Sequence, residues 1–123
     1  MLKNKKKSYL KISVVTVCLN SEKTIKRCLE SVIKQNYPNN KIEHIVIDGA
    51  SNDSTVSIIK KKIKHIKFFQ SKKDQGIYDA MNIGIKKCTG DVIVMLNSDD
   101  YFFDNTFSIV SRYFNNHKID YLF

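Results

Sequence analysis

The chain alternates short apolar runs rich in β-branched residues with longer segments whose apolar residues recur every three or four positions. The runs of the first kind predict four strands: "KISVVTVCLN" (11–20), "IEHIVID" (42–48), "IKFF" (66–69) and "DVIVMLN" (91–97). The intervening loops are short, so successive strands can be joined only by helical crossovers. The alternation therefore predicts an α/β fold with a mostly parallel sheet and helices on both of its faces. A fifth strand is predicted at "IDYLF" (119–123), where the chain ends.

Four helices are predicted from the apolar spacing between these strands. The first follows Ser21, a residue type that favours helix N-caps. The second carries Val56, Ile59 and Ile63 on one face. The third is expected to bury a longer set: Ile77, Ala80, Met81, Gly84, Ile85 and Cys88. The fourth lies within residues 104–117, with Asp104 as its cap.

Lysine and arginine number 21 against 12 acidic residues, which gives a formal net charge of +9. Such an excess suits an anionic partner, but no helix–turn–helix, RNP or zinc-finger spacing accompanies the scattered lysines. The densest groups predict a basic N-terminal arm over residues 1–10 and a solvated helix face at 60–64. We therefore expect no nucleic acid partner, although the arm could contact an anionic membrane surface.

The three cysteines, Cys18, Cys28 and Cys88, have no CxxC or Cys/His spacing and are interpreted as reduced core residues. No apolar run approaches the roughly 18 residues of a membrane span, and the first residues lack the apolar stretch of a signal peptide. The expected location is cytoplasmic, with the basic arm as a contact to the inner face of the membrane.

Polar residues follow the predicted strands, at the edge of the sheet where α/β proteins bind ligands. They include Asn20, Asp48, residues 71–74 and residues 97–100. Asp48 taken alone could simply begin a turn. The pair Asp99–Asp100 differs, because two adjacent carboxylates at the end of a buried strand repel each other unless a cation is present. Mg²⁺ or Mn²⁺ takes such oxygen ligands and completes its shell with phosphates and water.

The third predicted helix has a second face made of Gln75, Tyr78, Asp79 and Asn82, at spacings of three and four residues. Solvated faces elsewhere in this chain carry mainly lysine. An aromatic residue, an acid and two amides together indicate the wall of a site. The spacing alone leaves an ordinary solvated face equally open.

Three segments together resemble the nucleotide-binding half of glycosyltransferase family 2, in order and at similar spacing: "VVTVCLNSEKTIKRCLESVIKQNYPN" (14–39), "IEHIVIDGASNDST" (42–55) and "DQGIYDAMNIGIKKCTGDVIVMLNSDD" (74–100). The resemblance covers most of the chain. It implies a Rossmann-like GT-A fold, a nucleotide-diphosphate sugar as donor, a UDP-sugar first among them, and a divalent metal. It also implies transfer that inverts the anomeric carbon.

By position in the family's motifs, the resemblance implies that Ser98, Asp99 and Asp100 occupy the Asp-any-Asp position. Asp100 is then the expected metal ligand, with Asp99 as a second ligand that lies near the donor ribose or sugar. Asp48 would lie by the base. Many members have two acids after the second strand, whereas this chain has Asp48 followed by Gly49, so the identity of the base stays open.

The resemblance also implies donor-binding residues at the end of the first strand and along the third helix. The first group would frame the nucleoside, and the second would line the donor pocket. They are Thr16, Cys18, Asn20, Asp74, Tyr78, Asp79 and Asn82.

Family members continue beyond the metal motif into a segment that binds the acceptor and supplies the catalytic base. No residue of this chain is a convincing base, since His44, His65 and His117 have no partner acid at motif spacing, and Asp104 and Asp120 fit a cap and a strand edge. We therefore expect residues 11–123 to form the donor-binding part of such an enzyme, truncated at its C-terminus.

The expected function is sugar transfer to a saccharide or lipid-linked acceptor, in bacterial surface polysaccharide or lipopolysaccharide synthesis by family analogy. An alternative is a catalytically silent nucleotide-sugar-binding module that lacks the acceptor site and base. A sugar-phosphate nucleotidyltransferase is disfavoured, because the stretch "TVCLNSEKT" after the first strand contains no glycine-rich phosphate loop.

Overall fold

The structure is a computed structural model and describes residues 9–116. Strands and α-helices alternate along this part of the chain: β1 (Ile12–Cys18), α1 (Ile25–Ile33), β2 (Ile42–Asp48), α2 (Thr55–Lys60), β3 (Phe68–Ser71), α3 (Ile77–Lys86), β4 (Val92–Met95) and α4 (Thr106–Asn116). Short 3₁₀ turns at Asn39–Lys41 and Ile63–His65 precede β2 and β3.

The strands form one sheet in the order β3-β2-β1-β4, and every pairing is parallel. β1 pairs with β2 along its whole length, from Ile12 opposite Ile42 to Cys18 opposite Asp48. On its other side β1 pairs with β4, from Ile12 opposite Val92. The predicted parallel α/β sheet is confirmed, and the carboxyl ends of all strands lie at one edge.

The helices cover both faces of the sheet, as predicted. α3 packs on one face, where Ala80 meets alternate residues of β1 and β2 such as Val15 and Ile45. On the other face, α1 and α4 pack on the opposite side of β1, with Phe107 fully buried. α2 joins this second layer through Ile59. β1 lies between the two layers and is buried throughout.

At the edge opposite the strand ends, Glu43 joins β1, β2 and the loop between α3 and β4. Its carboxylate accepts hydrogen bonds from Ser13 Oγ at 2.5 Å, from Thr89 N at 2.7 Å and from Thr89 Oγ1 at 2.8 Å, and it lies 3.6 Å from Lys11 Nζ. Burial alone would raise the pKa of Glu43, but these donors outweigh it and lower the pKa to about 2. Gly90 allows the loop to pack closely against β1, because a methyl group at this position would lie only 2.8 Å from the backbone oxygen of Lys11.

Several element boundaries differ from the sequence-based prediction, among them the end of α2 and the start of β3. α2 ends at Lys60, and Ile63 lies in the 3₁₀ turn with 48% of its surface exposed, because the surrounding lysines provide no apolar stripe for another turn. β3 begins at Phe68 rather than Ile66, since its ladder with β2 starts at the pair Ile45–Phe68.

Two predictions about helix residues were also wrong. α1 begins at Ile25 with Thr24 as N-cap, because residues 22–24 form an extra turn after Ser21. On α3 the small residues Ala80 and Gly84 make the contact with the sheet, which leaves Ile77 53% exposed and Ile85 41% exposed at the margins.

Several expectations lie outside the described residues: most of the basic arm, the fifth strand at 119–123, His117 and Asp120. Within residues 9–116, no helix combines the length and the apolar character that crossing a bilayer requires.

Candidate functional site

An open cleft of about 710 Å³ lies at the carboxyl edge of the sheet. It is lined by residues 17–24, Asp53, Asp74, Gly76, Ile77, Ala80 and residues 97–99. The chain runs from β1 to β2 on one side, whereas β4 pairs on the other, so the cleft lies where the strand order reverses. Ligands of open α/β sheets bind at this topological switch point.

The loop after β1 forms one wall and is bound to the loop after β2. Asn20, with φ 49°, donates its N–H to Ser51 Oγ at 2.7 Å and accepts from Asn52 N at 3.0 Å. Glu22 accepts from Ser54 N at 2.9 Å. Ala50 lies at the tip of the second loop with φ 66°, a left-handed conformation that costs a residue with a Cβ roughly 1–2 kcal/mol. The two loops therefore form one connected wall.

Asp53 extends this wall and lies two residues before the start of α2. Its carboxylate accepts from Thr55 N at 2.9 Å and from Glu22 N at 3.3 Å, so it connects the first residue of α2 with the loop after β1. Desolvation works against the charge, but hydrogen bonds from Thr55 and Glu22 hold the pKa of Asp53 below its ordinary value. The Asp53 carboxylate is ionised at neutral pH and already engaged.

The segment after β4 forms the facing wall and carries the predicted metal motif. Ser98 Oγ lies 2.8 Å from Ser21 Oγ, which bridges the two walls. Asp99 lines the cleft, and the N–H of the exposed Asp100 donates to Asn97 O at 3.0 Å in a tight turn. The structure therefore brings Ser98 and Asp99 together with Cys18, Asn20 and Asp74 around one cleft.

Asp48 and Thr16 lie beneath the cleft rather than on its surface, and both are fully buried. The Asp48 carboxylate accepts from Ser51 N at 2.9 Å, from Ser51 Oγ at 2.5 Å, from Ser71 Oγ at 2.6 Å and from the Cys18 thiol at 3.4 Å. Thr16 Oγ1 lies 2.8 Å from His44 Nε2. Asp48 thus holds the ends of three strands together, and its predicted place by the base stays a prediction.

The cysteines at the cleft are protonated thiols. Burial, and then the charge of Asp48, raises the pKa of Cys18 far above its ordinary value. Burial raises the pKa of Cys28 to about 11, and the carboxylates of Asp100 and Asp99 add to the rise. Neither thiol is a candidate nucleophile at neutral pH.

The face of α3 that reaches the cleft is not the predicted polar face. Gly76, Ile77 and Ala80 line the cleft, whereas Tyr78 is 79% exposed. Asp79 accepts from the N–H of Gln75, and Asn82 is exposed, with neither residue lining the cleft. Tyr78, Asp79 and Asn82 therefore stay predicted donor contacts that the cleft itself does not include.

Asp74 reaches the cleft from the turn before α3. Its carboxylate accepts from Gly76 N at 3.0 Å, and a methyl group on Gly49 would lie 3.0 Å from its second oxygen. The glycine that follows Asp48 thus makes room for the Asp74 carboxylate at the point where many relatives are expected to carry another acid.

Sequence reasoning missed Ser21, Glu22, Lys23 and Ile77 as cleft residues. For Ser21 to Lys23 a signal was available, since they directly follow a strand end. Ile77 matched a buried stripe and gave no such signal. Lys23 adds a positive charge to a cleft that otherwise holds several acids.

No group of three histidine, cysteine or acidic side chains that could hold a metal ion occurs in the part of the chain that the structure describes. Asp99 and Asp100 alone supply two adjacent, exposed carboxylates. This donor set fits a hard cation that is held by one or two carboxylates while phosphate and water oxygens complete the shell.

A parallel sheet with helices on both faces and a polar cleft at its switch point defines a Rossmann-like nucleotide-binding fold. A family profile described as "Glycosyl transferase family 2" matches residues 13–123, and the chain belongs to this family. The family and the GT-A fold that the sequence predicts are thereby confirmed.

Named relatives agree with this assignment. An uncharacterized glycosyltransferase of Mycobacterium tuberculosis, MT1564, is 41% identical over 91 residues, which cover 74% of this chain and 34% of the relative. The poly(ribitol-phosphate) beta-N-acetylglucosaminyltransferase TarS of Staphylococcus aureus is 29% identical over 116 residues, which cover 92% of this chain and 20% of TarS. The chain thus spans between a fifth and about a third of the length of these relatives.

Solved structures show the same fold. The crystal structure of S. aureus TarS residues 1–349 superposes with a TM-score of 0.80 at 28% identity, over 88% of this chain and 33% of that one. TarS 1–349 has also been solved in complex with UDP-GlcNAc and with UDP. The mannosyltransferase PcManGT of Pyrobaculum calidifontis, in complex with GDP-Man and Mn²⁺, gives a TM-score of 0.71 at 23% identity, over 78% of this chain and 29% of that one, and shows the fold alone.

Proposed function

We propose that this chain is the donor-binding part of a glycosyltransferase that uses a nucleotide-diphosphate sugar, with a UDP-sugar as the expected donor. The observation that carries the proposal is the cleft at the switch point, which Asp74 and Asp99 line together with the end of β1. The TarS complexes with UDP-GlcNAc and UDP support the choice of donor class.

The proposed roles follow the two walls. The end of β1, from Cys18 to Asn20, frames the nucleoside, and Asp99 lies toward the ribose or sugar. Asp100, with Asp99, would hold Mg²⁺ or Mn²⁺, which neutralises the charge of the leaving nucleoside diphosphate when it is bound. Inversion at the anomeric carbon, a saccharide or lipid-linked acceptor, and a place in bacterial surface polysaccharide synthesis rest on family analogy. A cytoplasmic location with the basic arm at the membrane belongs to the same proposal.

The acids of the cleft favour donor binding over proton abstraction. The carboxylates of Glu22, Asp53 and Asp74 each already accept hydrogen bonds from backbone N–H groups, and such bonds hold the pKa of Asp53 below its ordinary value. His44 is 2% exposed and does not line the cleft, and burial lowers its pKa to about 3. These observations support a second candidate, a nucleotide-sugar-binding module that does not complete transfer by itself.

Isothermal titration calorimetry tests the donor proposal. UDP should bind the wild-type protein in the presence of Mn²⁺, and Asp99→Ala and Asp100→Ala should each weaken binding about tenfold or more, because charge-assisted contacts are lost. Asp104→Asn is the matched control, since Asp104 is an exposed acid of the same connection and does not line the cleft.

Two results would contradict the proposal: no binding of UDP with or without Mn²⁺, or equal binding by the wild type and both alanine variants. Titration with GDP in place of UDP tests which nucleotide base the cleft prefers. Release of UDP from UDP-GlcNAc with transfer to an added acceptor would rule out the silent module.

A further inference from the structure

The segment that carries Asp99 and Asp100 is held in place largely by α1 and the loops on either side of it. Each end of the segment has its own anchors, and the partners are 68 to 77 residues apart in the chain. These anchors are Ser98 Oγ to Ser21 Oγ at 2.8 Å, Cys28 Sγ to Asn97 O at 3.6 Å, Gln35 Nε2 to Phe103 O at 2.6 Å and Asn36 N to Asp104 O at 2.8 Å.

Between these anchors, Arg27 of α1 contacts the segment on both sides of Asp100. Its Nη2 donates to the backbone oxygen of Asp99 at 3.4 Å. Its guanidinium carbon lies 4.4 Å from the centroid of the Tyr101 ring, within the range of a cation–π contact. Tyr101 is half exposed and meets Phe103 edge to face, with the ring centroids 6.3 Å apart.

We propose that Arg27 is a positioning residue that fixes the orientation of the Asp99 and Asp100 carboxylates for the metal and the donor diphosphate. The inference rests on the proposed function, because it concerns how that site is held. Asp99 and Asp100 carry like charges and are both exposed. Repulsion between them favours backbone rotations that turn the carboxylates apart.

The contacts of Arg27 oppose such rotations. Its hydrogen bond fixes the peptide plane after Asp99, and its stacking on Tyr101 fixes the residue after Asp100. Arginine suits both tasks, because its planar guanidinium can stack on a ring while its edge donates a hydrogen bond. Lysine could supply the charge but has no planar group to make the two contacts together.

The main alternative is that Arg27 only adds stability to the surface of α1. Lys26 provides the comparison, because it is the neighbouring exposed cation on the same helix and its Nζ lies 3.9 Å from Glu30. A purely stabilising role predicts similar effects of Arg27→Ala and Lys26→Ala. A positioning role predicts that only Arg27→Ala disturbs the acidic segment.

Two measurements on the protein decide between these roles. The first is the dissociation constant of UDP in the presence of Mn²⁺. Arg27→Ala and Tyr101→Ala should each weaken binding about three- to tenfold. The double variant should bind UDP as tightly as whichever single variant binds it more weakly, because both substitutions remove the same contact between Arg27 and Tyr101. Arg27→Lys should recover only part of the affinity, and Lys26→Ala should leave it unchanged.

The second measurement is amide hydrogen exchange of a peptide that covers residues 98–102. Exchange should be faster in Arg27→Ala and unchanged in Lys26→Ala, with equal thermal unfolding midpoints for the two variants. Wild-type affinity and exchange in Arg27→Ala would overturn the inference, as would equal losses in Arg27→Ala and Lys26→Ala. If the wild-type protein does not bind UDP with Mn²⁺, the proposed function fails, and hydrogen exchange still decides whether Arg27 holds the segment.

Discussion

Replacing Glu43 by glutamine should remove a contribution to the free energy of unfolding that is present at neutral pH and lost in acid. The Glu43 carboxylate is 3% exposed and receives hydrogen bonds from Ser13 and Thr89, with Lys11 nearby. Its pKa is about 2 in the folded protein, against an ordinary value of 4.5. At about 1.4 kcal/mol per pKa unit, the ionised carboxylate contributes about 3 kcal/mol at neutral pH.

The direction of the pH dependence follows from the lowered pKa of Glu43. The contribution is fully present above pH 4.5, the ordinary value, and disappears as the pH falls through the folded value of about 2. At pH 3, about 2 kcal/mol of it should already be lost. The buried His44 also makes the folded protein less stable in acid, but it does so equally in the wild type and in Glu43→Gln, so the difference between the two proteins isolates Glu43.

Urea unfolding at pH 7 and pH 3 measures this difference. Glu43→Gln should be less stable than the wild type by about 3 kcal/mol at pH 7, and the gap should narrow to about 1 kcal/mol at pH 3. Glu30→Gln is the control, because Glu30 pairs at the surface with Lys26 and Lys34, at 3.9 and 3.4 Å, and should cost less than about 1 kcal/mol at either pH. A gap that is the same at both pH values would refute the reasoning.

Three further predictions concern the same scaffold. His44 has its pKa lowered by burial from 6.5 to about 3, so unfolding free energy should fall as the pH drops below 6.5, and His44→Gln should flatten this slope between pH 6.5 and pH 4.5 in urea titrations. Gly90→Ala should cost about 2 kcal/mol or more in the same assay, because its methyl group would lie 2.6 Å from Ser13 Oγ and 2.8 Å from the backbone oxygen of Lys11. Ala50→Gly should raise the unfolding free energy by roughly 0.5–1 kcal/mol, since φ of 66° is strained for alanine, and a lower value would show that the loop is not strained.

The sheet and the general position of the site could be predicted because they depend on short-range patterns. The apolar run of β4 passes directly into Asp99 and Asp100, and strand direction alone then places both acids at the carboxyl edge. The same reasoning places Asn20 and Asp74 beside them. Alternation of strands and helices also determines that the sheet is parallel.

Details that depend on distant partners could not be predicted in this way. Asp48 matches a strand-end ligand in the sequence, yet donors from Ser51 and Ser71 hold its carboxylate beneath the cleft. Ser21 matches a helix cap, yet its hydroxyl meets Ser98, 77 residues away. On α3, the polar spacing predicts the wall of a site, yet Ile77, which was predicted to be buried, lines the cleft instead.

The central place of β1 has a consequence for the order in which the protein is made. Of the four strands, β1 is translated before the others, but its partners lie at residues 42–48 and 92–95, so one edge of this apolar strand stays unpaired until β4 has been translated. The two walls of the cleft belong to these same segments and can meet only when β4 has paired. Binding of UDP to nascent chains of increasing length would therefore report the chain length at which β4 pairs with β1 and completes the sheet.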